Sequence, residues 1–121
     1  LDGYALAEEM NALNLPGVRF RPIVFTPSAS NYAGVECHGA QVHIIERDAL
    51  RPVTMALNLI AIARHMSGEA WDWNPHLEKL AGGSGVRSAL EAGAKSVAEI
   101  TASWAESISS FIHQRKKYLL Y

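Results

Sequence analysis

"LPGVRFRPIVFTPSASNYAGVECHGAQVHII" runs from Leu15 to Ile45, and its reading decides the fold. Val18 to Phe25 is rich in β-branched and aromatic residues, and Ala40 to Ile45 alternates Val42 and Ile44 with Gln41 and His43. Both patterns predict strands. Between them lies "TPSASNYAGVECHG", from Thr26 to Gly39. Hairpin loops usually hold about two to five residues, and connections beyond roughly a dozen are uncommon unless they bind something or are disordered. A disordered linker would not carry Tyr32, Val35 and Cys37 among its glycines and serines. The connection therefore reads as an ordered, functional loop.

Working outward, Gly3 to Leu13 predicts a helix with Leu6, Met10 and Leu13 on one face. Residues 14–17 end it, since Pro16 cannot continue a helix. After a connector at residues 47–51, Pro52 suits a first helical position. The helix it opens, to Met66, is apolar nearly all round (Val53, Leu57, Leu59, Ile60, Ile62, Ala63), which predicts a place at the centre of the fold. Short helices follow over 75–81, with Asn74 as cap, and over 84–92, each closed by glycine. Ser96 and Glu99 form a capping box for a last helix reaching Lys116. Val97, Ile100, Trp104, Ile108 and Phe111 make one stripe along it, and "YLLY" reads as an extended, partly buried tail. The fold class is α+β: a small sheet of two strands, with the tail as candidate third strand, covered by about five helices.

The 121 residues fit a single domain, with an ordinary soluble composition and a formal net charge of −1. No global field favours nucleic acid or an anionic membrane. The one basic run, Arg115-Lys116-Lys117, ends a predicted helix, where cations meet the negative end of the dipole. Cys37 is the sole cysteine, so no internal disulfide forms. "MALNLIAIA" is too short for a membrane span. The chain opens in mid-helix pattern without a leader, which reads as a piece of a longer protein.

"GGSG" at Gly82 to Gly85 lacks the Lys-Ser/Thr of a phosphate-binding loop and is better explained as helix termination. Cys37, His38 and His43 lack the paired spacing of a metal site. Glu8 and Glu9 are sequence neighbours on different parts of a helix surface, and no carboxylate pair of a glycosidase is readable. The candidate set lies around the long loop: Arg21 on the first strand, Ser30, Asn31 and Tyr32 on the loop, and His43 on the second strand. Alternation with core residues turns Arg21 and His43 outward. An arginine fork recognises a carboxylate, a tyrosine ring can stack on a sugar, and hydroxyl and amide groups suit hydroxyls or an acetamido group. The same side chains could equally tie down the loop. Trp71 and Trp73 in "WDW" invite a sugar platform, but alternate spacing predicts one exposed and one packed.

The order of "LPGVRFRP", "FTP", the Tyr-x-Gly-x-x-Cys-x-Gly spacing of Tyr32 to Gly39, "RPVTMALNLIAIAR", "LAGGSGVRSALEAG" and terminal "YLLY" resembles the C-terminal domain of the NamZ-type exo-β-N-acetylmuramidases over nearly the whole chain. By its motif that resemblance singles out Arg21, Phe25, Tyr32, Gly34, Cys37 and Gly39. It departs where the family often has lysine (here Asn31) and a Thr-Asp pair (here Gly83 and Ser84). It implies a glycoside hydrolase releasing N-acetylmuramic acid from peptidoglycan fragments, without cofactor or metal. The catalytic carboxylate would lie on an N-terminal Rossmann-like domain of the same protein, with no catalytic residue in this chain. It also implies a periplasmic or extracellular setting. A free-standing carbohydrate-binding or docking module is the alternative, as is a purely structural domain.

Overall fold

The computed structural model describes residues 1–93 and 96–120. The chain divides into two compact units, Leu1–Asp72 and Trp73–Tyr121.

The first unit is built on an antiparallel pair, β1 (Val18–Phe25) and β2 (Cys37–Ile44), running in register from Val18↔Ile44 to Phe25↔Cys37. Helix α1 (Gly3–Ala12) lies on one face of this pair. Asp2 starts the helix by accepting from the amides of Tyr4 and Ala5 at 2.8 and 3.2 Å, satisfying donors that have no partner inside the first turn. Leu6, Ala7 and Met10 then bury against Val18 and Phe20, and these five form the core. Burial drives this association because each large side chain removed from water contributes roughly 1.5–3 kcal/mol.

A polar contact fixes where α1 sits. Asn11 donates from Nδ2 to the carbonyl oxygen of Phe20 at 2.7 Å, while its Oδ1 accepts from the Phe20 amide at 2.9 Å. The β1 edge turned away from β2 would otherwise present both groups unpaired. A side-chain amide therefore stands in for a neighbouring strand at that point. At the other end of α1, Gly3 passes directly over the backbone of Gly39. A Cβ on Gly3 would clash with the Gly39 carbonyl and come within 2.8 Å of its nitrogen.

Helix α2 (Pro52–Ser67) begins at Pro52 as the sequence predicts. It packs through Met55, Leu59, Ile62 and Met66, which recur at helical spacing and lie half-buried against the core. Only Leu57 is fully buried, and Val53 is 57% exposed. Every residue from Thr54 to Arg64 is half-buried or buried, and Leu57 stands on the side opposite the Met55 row, so the helix is covered on more than one face, as its apolar composition predicts.

In the second unit, α3 (His76–Ala81), α4 (Gly85–Ala92), α5 (Val97–Ala102) and α6 (Ala105–Arg115) follow in order. Asn74 accepts from the His76 amide at 2.9 Å, and the capping box is present: Ser96 Oγ accepts from the Glu99 amide and Glu99 Oε2 accepts from the Ser96 amide. The single last helix expected from the sequence is broken in two at Ser103 and Trp104. Ser103 Oγ donates to the Ile100 carbonyl at 2.6 Å, a local bond that competes with the helical ladder. The stripe divides with it. Val97 and Ile100 are buried, Trp104 is half-buried, and Ile108 and Phe111 are exposed. Among the described residues the tail forms a 3₁₀ turn, Lys116–Tyr118, and no third strand; Leu120 is 95% exposed, so the tail is not partly buried there. Tyr121, the last residue of that expected tail, lies outside the described residues. No helix among those residues is long and apolar enough to cross a membrane.

Two stability measurements check this account. Asn11→Ala should destabilise the fold by about 1–3 kcal/mol in urea melts, because two hydrogen bonds are lost and one buried pair of groups is orphaned. Alanine favours helix over asparagine, so propensity works against the loss and leaves its sign clean. A neutral or stabilising outcome would refute the strand-like role of Asn11. Gly3→Ala should cost roughly 1–3 kcal/mol by overpacking, whereas Gly39→Ala should be near neutral, since a Cβ there meets nothing within 4 Å. Equal effects at the two glycines would contradict the close approach.

Candidate functional site

The register sorts the sheet into two faces. Val18 and Phe20 face α1, which places Arg19, Arg21, Ile23 and Phe25 on the outer face with Cys37, Gly39, Gln41 and His43. Arg21 and His43 are both exposed there, as alternation predicts. Arg21 pairs across the strands with Gln41, and Arg19 with His43. Arg21 and His43 are therefore diagonal neighbours, close enough for long side chains to serve one ligand.

The partner of Arg21 is informative. Its Nη2 donates to Gln41 Oε1 at 2.7 Å. That bond orients the guanidinium without neutralising it, and the outer face carries no acidic side chain. The nearest acid in the hairpin, Glu36, is bonded instead to His38 at 2.9 Å, and His38 belongs to the other face. Arg19 turns back along its own strand, donating from Nη1 to the Val18 carbonyl at 2.8 Å. Gly39 leaves the floor between Arg21 and Cys37 open. The arrangement is that of an anion-receptive surface with a positioned fork and spare donors. Gln41 and Arg19 were not singled out from the sequence. Gln41's outward alternation was visible, but its place opposite Arg21 depends on the register.

Ser30, Asn31 and Tyr32 lie in the connection between the strands, which spans residues 26–36 because β2 begins at Cys37, earlier than the sequence pattern suggests. It is built of successive turns: Gly34 N–H donates to Pro27 O at 2.8 Å, Ala33 to Ser30 O at 3.3 Å and Val35 to Tyr32 O at 3.0 Å. Ser30 and Tyr32 hold positive φ angles of 68° and 60°, a left-handed conformation unusual for such residues. Tyr32 is 72% exposed. The loop is ordered, and its ring is offered to solvent. The five candidates nevertheless form two groups. Arg21 and His43 sit along the sheet, and at ~3.3 Å per residue Arg21 is about 13 Å from the strand end where the loop begins. No hydrogen bond among the described residues joins the loop group to Arg21 or His43.

Elsewhere, the second unit contains a cavity of about 380 Å³ lined by Gly82, Gly83, Val86, Ala89, Ile100 and Trp104 among others. None of the five candidates lines it. Beside it Arg87 bonds Glu91 at 3.0 Å and Glu78 at 3.3 Å and lies 5.7 Å from the Trp73 ring centre. The Glu91 hydrogen bond, followed by the charges of Glu91 and Glu78, holds the Arg87 guanidinium above its ordinary range despite partial desolvation. This network ties α3 to α4 and needs no ligand. Trp71 and Trp73 are both half-buried, so the expected split into one exposed and one packed ring does not occur. Among the described residues no group of three or more His, Cys, Asp and Glu side chains could hold a metal ion.

Comparison with known proteins locates the whole chain. A protein from Bacillus subtilis (strain 168), "Peptidoglycan beta-N-acetylmuramidase NamZ", is 36% identical over 118 residues, which cover 96% of this chain and 28% of that protein. A crystal structure of a DUF1343 family protein from Bacteroides fragilis NCTC 9343 superposes with a TM-score of 0.86 at 20% identity, covering 100% of this chain and 33% of that one. The chain thus spans about a third or less of either relative. The family described as "Exo-beta-N-acetylmuramidase NamZ, C-terminal" matches residues 1–121, and the chain belongs to that family.

Proposed function

We propose that residues 1–121 act as one accessory C-terminal domain of an exo-β-N-acetylmuramidase, lining the substrate cleft beside an N-terminal Rossmann-like catalytic domain of the same polypeptide. The substrate is a peptidoglycan-derived amino sugar, and the parent enzyme releases N-acetylmuramic acid. The observation that carries this reading is Arg21, exposed and held by neutral Gln41 rather than by a carboxylate. Muramic acid differs from glucosamine by a lactyl carboxylate. A carboxylate leaving water needs a cation or several donors, and the outer sheet face supplies Arg21 with His43 diagonal to it. Ser30, Asn31 and Tyr32 border the same cleft from the loop, Tyr32 offering a ring to a sugar face and its neighbours offering hydroxyl and amide groups. The catalytic carboxylate comes from the N-terminal domain, so this chain alone does not cleave.

In the full-length enzyme, Arg21→Ala should lower kcat/KM for muramic acid glycosides by about one to two orders of magnitude, the worth of a charged hydrogen bond of roughly 1.5–3 kcal/mol. Hydrolysis of the matching glucosamine glycoside, which lacks the carboxylate, should change far less, and the melting temperature should hold. An earlier melt with unchanged activity per folded molecule would make Arg21 a structural tie instead. The purified 121-residue chain should release no chromogenic aglycone. Release that disappears on mutating one of its own acidic residues would place the acid here and overturn the division of labour.

A further inference from the structure

The stripe that begins in the core of the second unit continues past the break at Trp104 onto α6. There Ile108, Phe111 and Ile112 are 49%, 61% and 41% exposed, and no residue of α6 is buried. Serines flank them at 107, 109 and 110, so a neighbour could approach the helix closely. Tyr118 and Leu119 extend the exposed apolar surface beyond the helix end. A soluble helix normally buries such a stripe, because stability comes from packing its apolar face rather than from propensity. The cavity lined by Trp104 lies on the buried side of the break and does not cover these residues.

We propose that this face of α6, with the turn that follows it, is the surface by which the domain docks onto the N-terminal part of its own polypeptide. The inference rests on the accessory-domain reading above, and names the element that would make the junction. Chain length selects this occupant. The match covers only 28% of the Bacillus subtilis protein and its family is by description C-terminal, so most of such a polypeptide is available as a covalently linked partner. A tethered partner needs less buried area than a free one, because a short linker gives it an effective concentration in the millimolar range.

Amide hydrogen exchange, compared between the full-length protein and the 121-residue chain, tests the proposal without any substitution. Residues 105–120 should exchange at least about tenfold more slowly in the full-length protein. Equal rates would overturn it. Sizing of the 121-residue chain at tens of micromolar should give a monomer; a dimer dissociated by Phe111→Ser would assign the face to a second copy and also overturn it. The Arg21→Ala selectivity is measured on the same full-length protein, so the two readings fail separately. Protected α6 with unaltered selectivity keeps the docking and removes the substrate contact. Altered selectivity with unprotected α6 does the reverse.

Discussion

The first unit depends on the two-way hydrogen bond between the Asn11 side chain and the backbone of Phe20. Apolar burial alone would let α1 slide along a two-stranded sheet, since dispersion and the hydrophobic effect have little directionality. The amide cannot slide, because it must meet one N–H and one C=O of the same residue. With α1 pinned, Leu6, Ala7 and Met10 cover Val18 and Phe20, and the pleat leaves Arg19 and Arg21 no place but the far side. The candidate site is thus a by-product of how the core is locked. Gly3 serves the same end at the other terminus of the helix, where only a missing side chain permits contact with the β2 backbone.

Much of this was legible in the sequence where local rules prevail. The β1 bounds, Pro52 as a helix start, and the Ser96–Glu99 box all follow from chemistry within a few residues. The outward placement of Arg21 and His43 followed from a period of two. What was not legible is tertiary. Asn11 looks like an indifferent helix residue until the Phe20 backbone is beside it. The split between α5 and α6 escaped the periodicity because the apolar stripe runs straight through it, while at the break the Trp104 amide donates to the Thr101 carbonyl, three residues back instead of four.

For the candidate site, residue types and the facing direction were readable, but grouping was not. Arg21, His43, Ser30, Asn31 and Tyr32 read as one set because they flank one loop. Strand length then separates the loop from the two sheet residues, while the register adds Gln41 and Arg19 to Arg21 and His43. Gln41 changes the electrostatic argument most. A carboxylate at that position would have completed an ion pair and used the charge of Arg21 internally, whereas an amide leaves that charge unspent.

The loop over residues 26–36 has a bearing on association rates. Its turns are closed by three backbone hydrogen bonds, and Ser30 and Tyr32 already occupy left-handed backbone conformations. Such a segment has surrendered its conformational entropy during folding, when the cost is shared with the rest of the domain. A ligand meeting it would find the ring and its neighbouring polar groups preorganised and would lose little further freedom in seating against them. Encounter would then be limited by diffusion and orientation rather than by a slow ordering step, and differences between ligands would show chiefly in how long each remains bound.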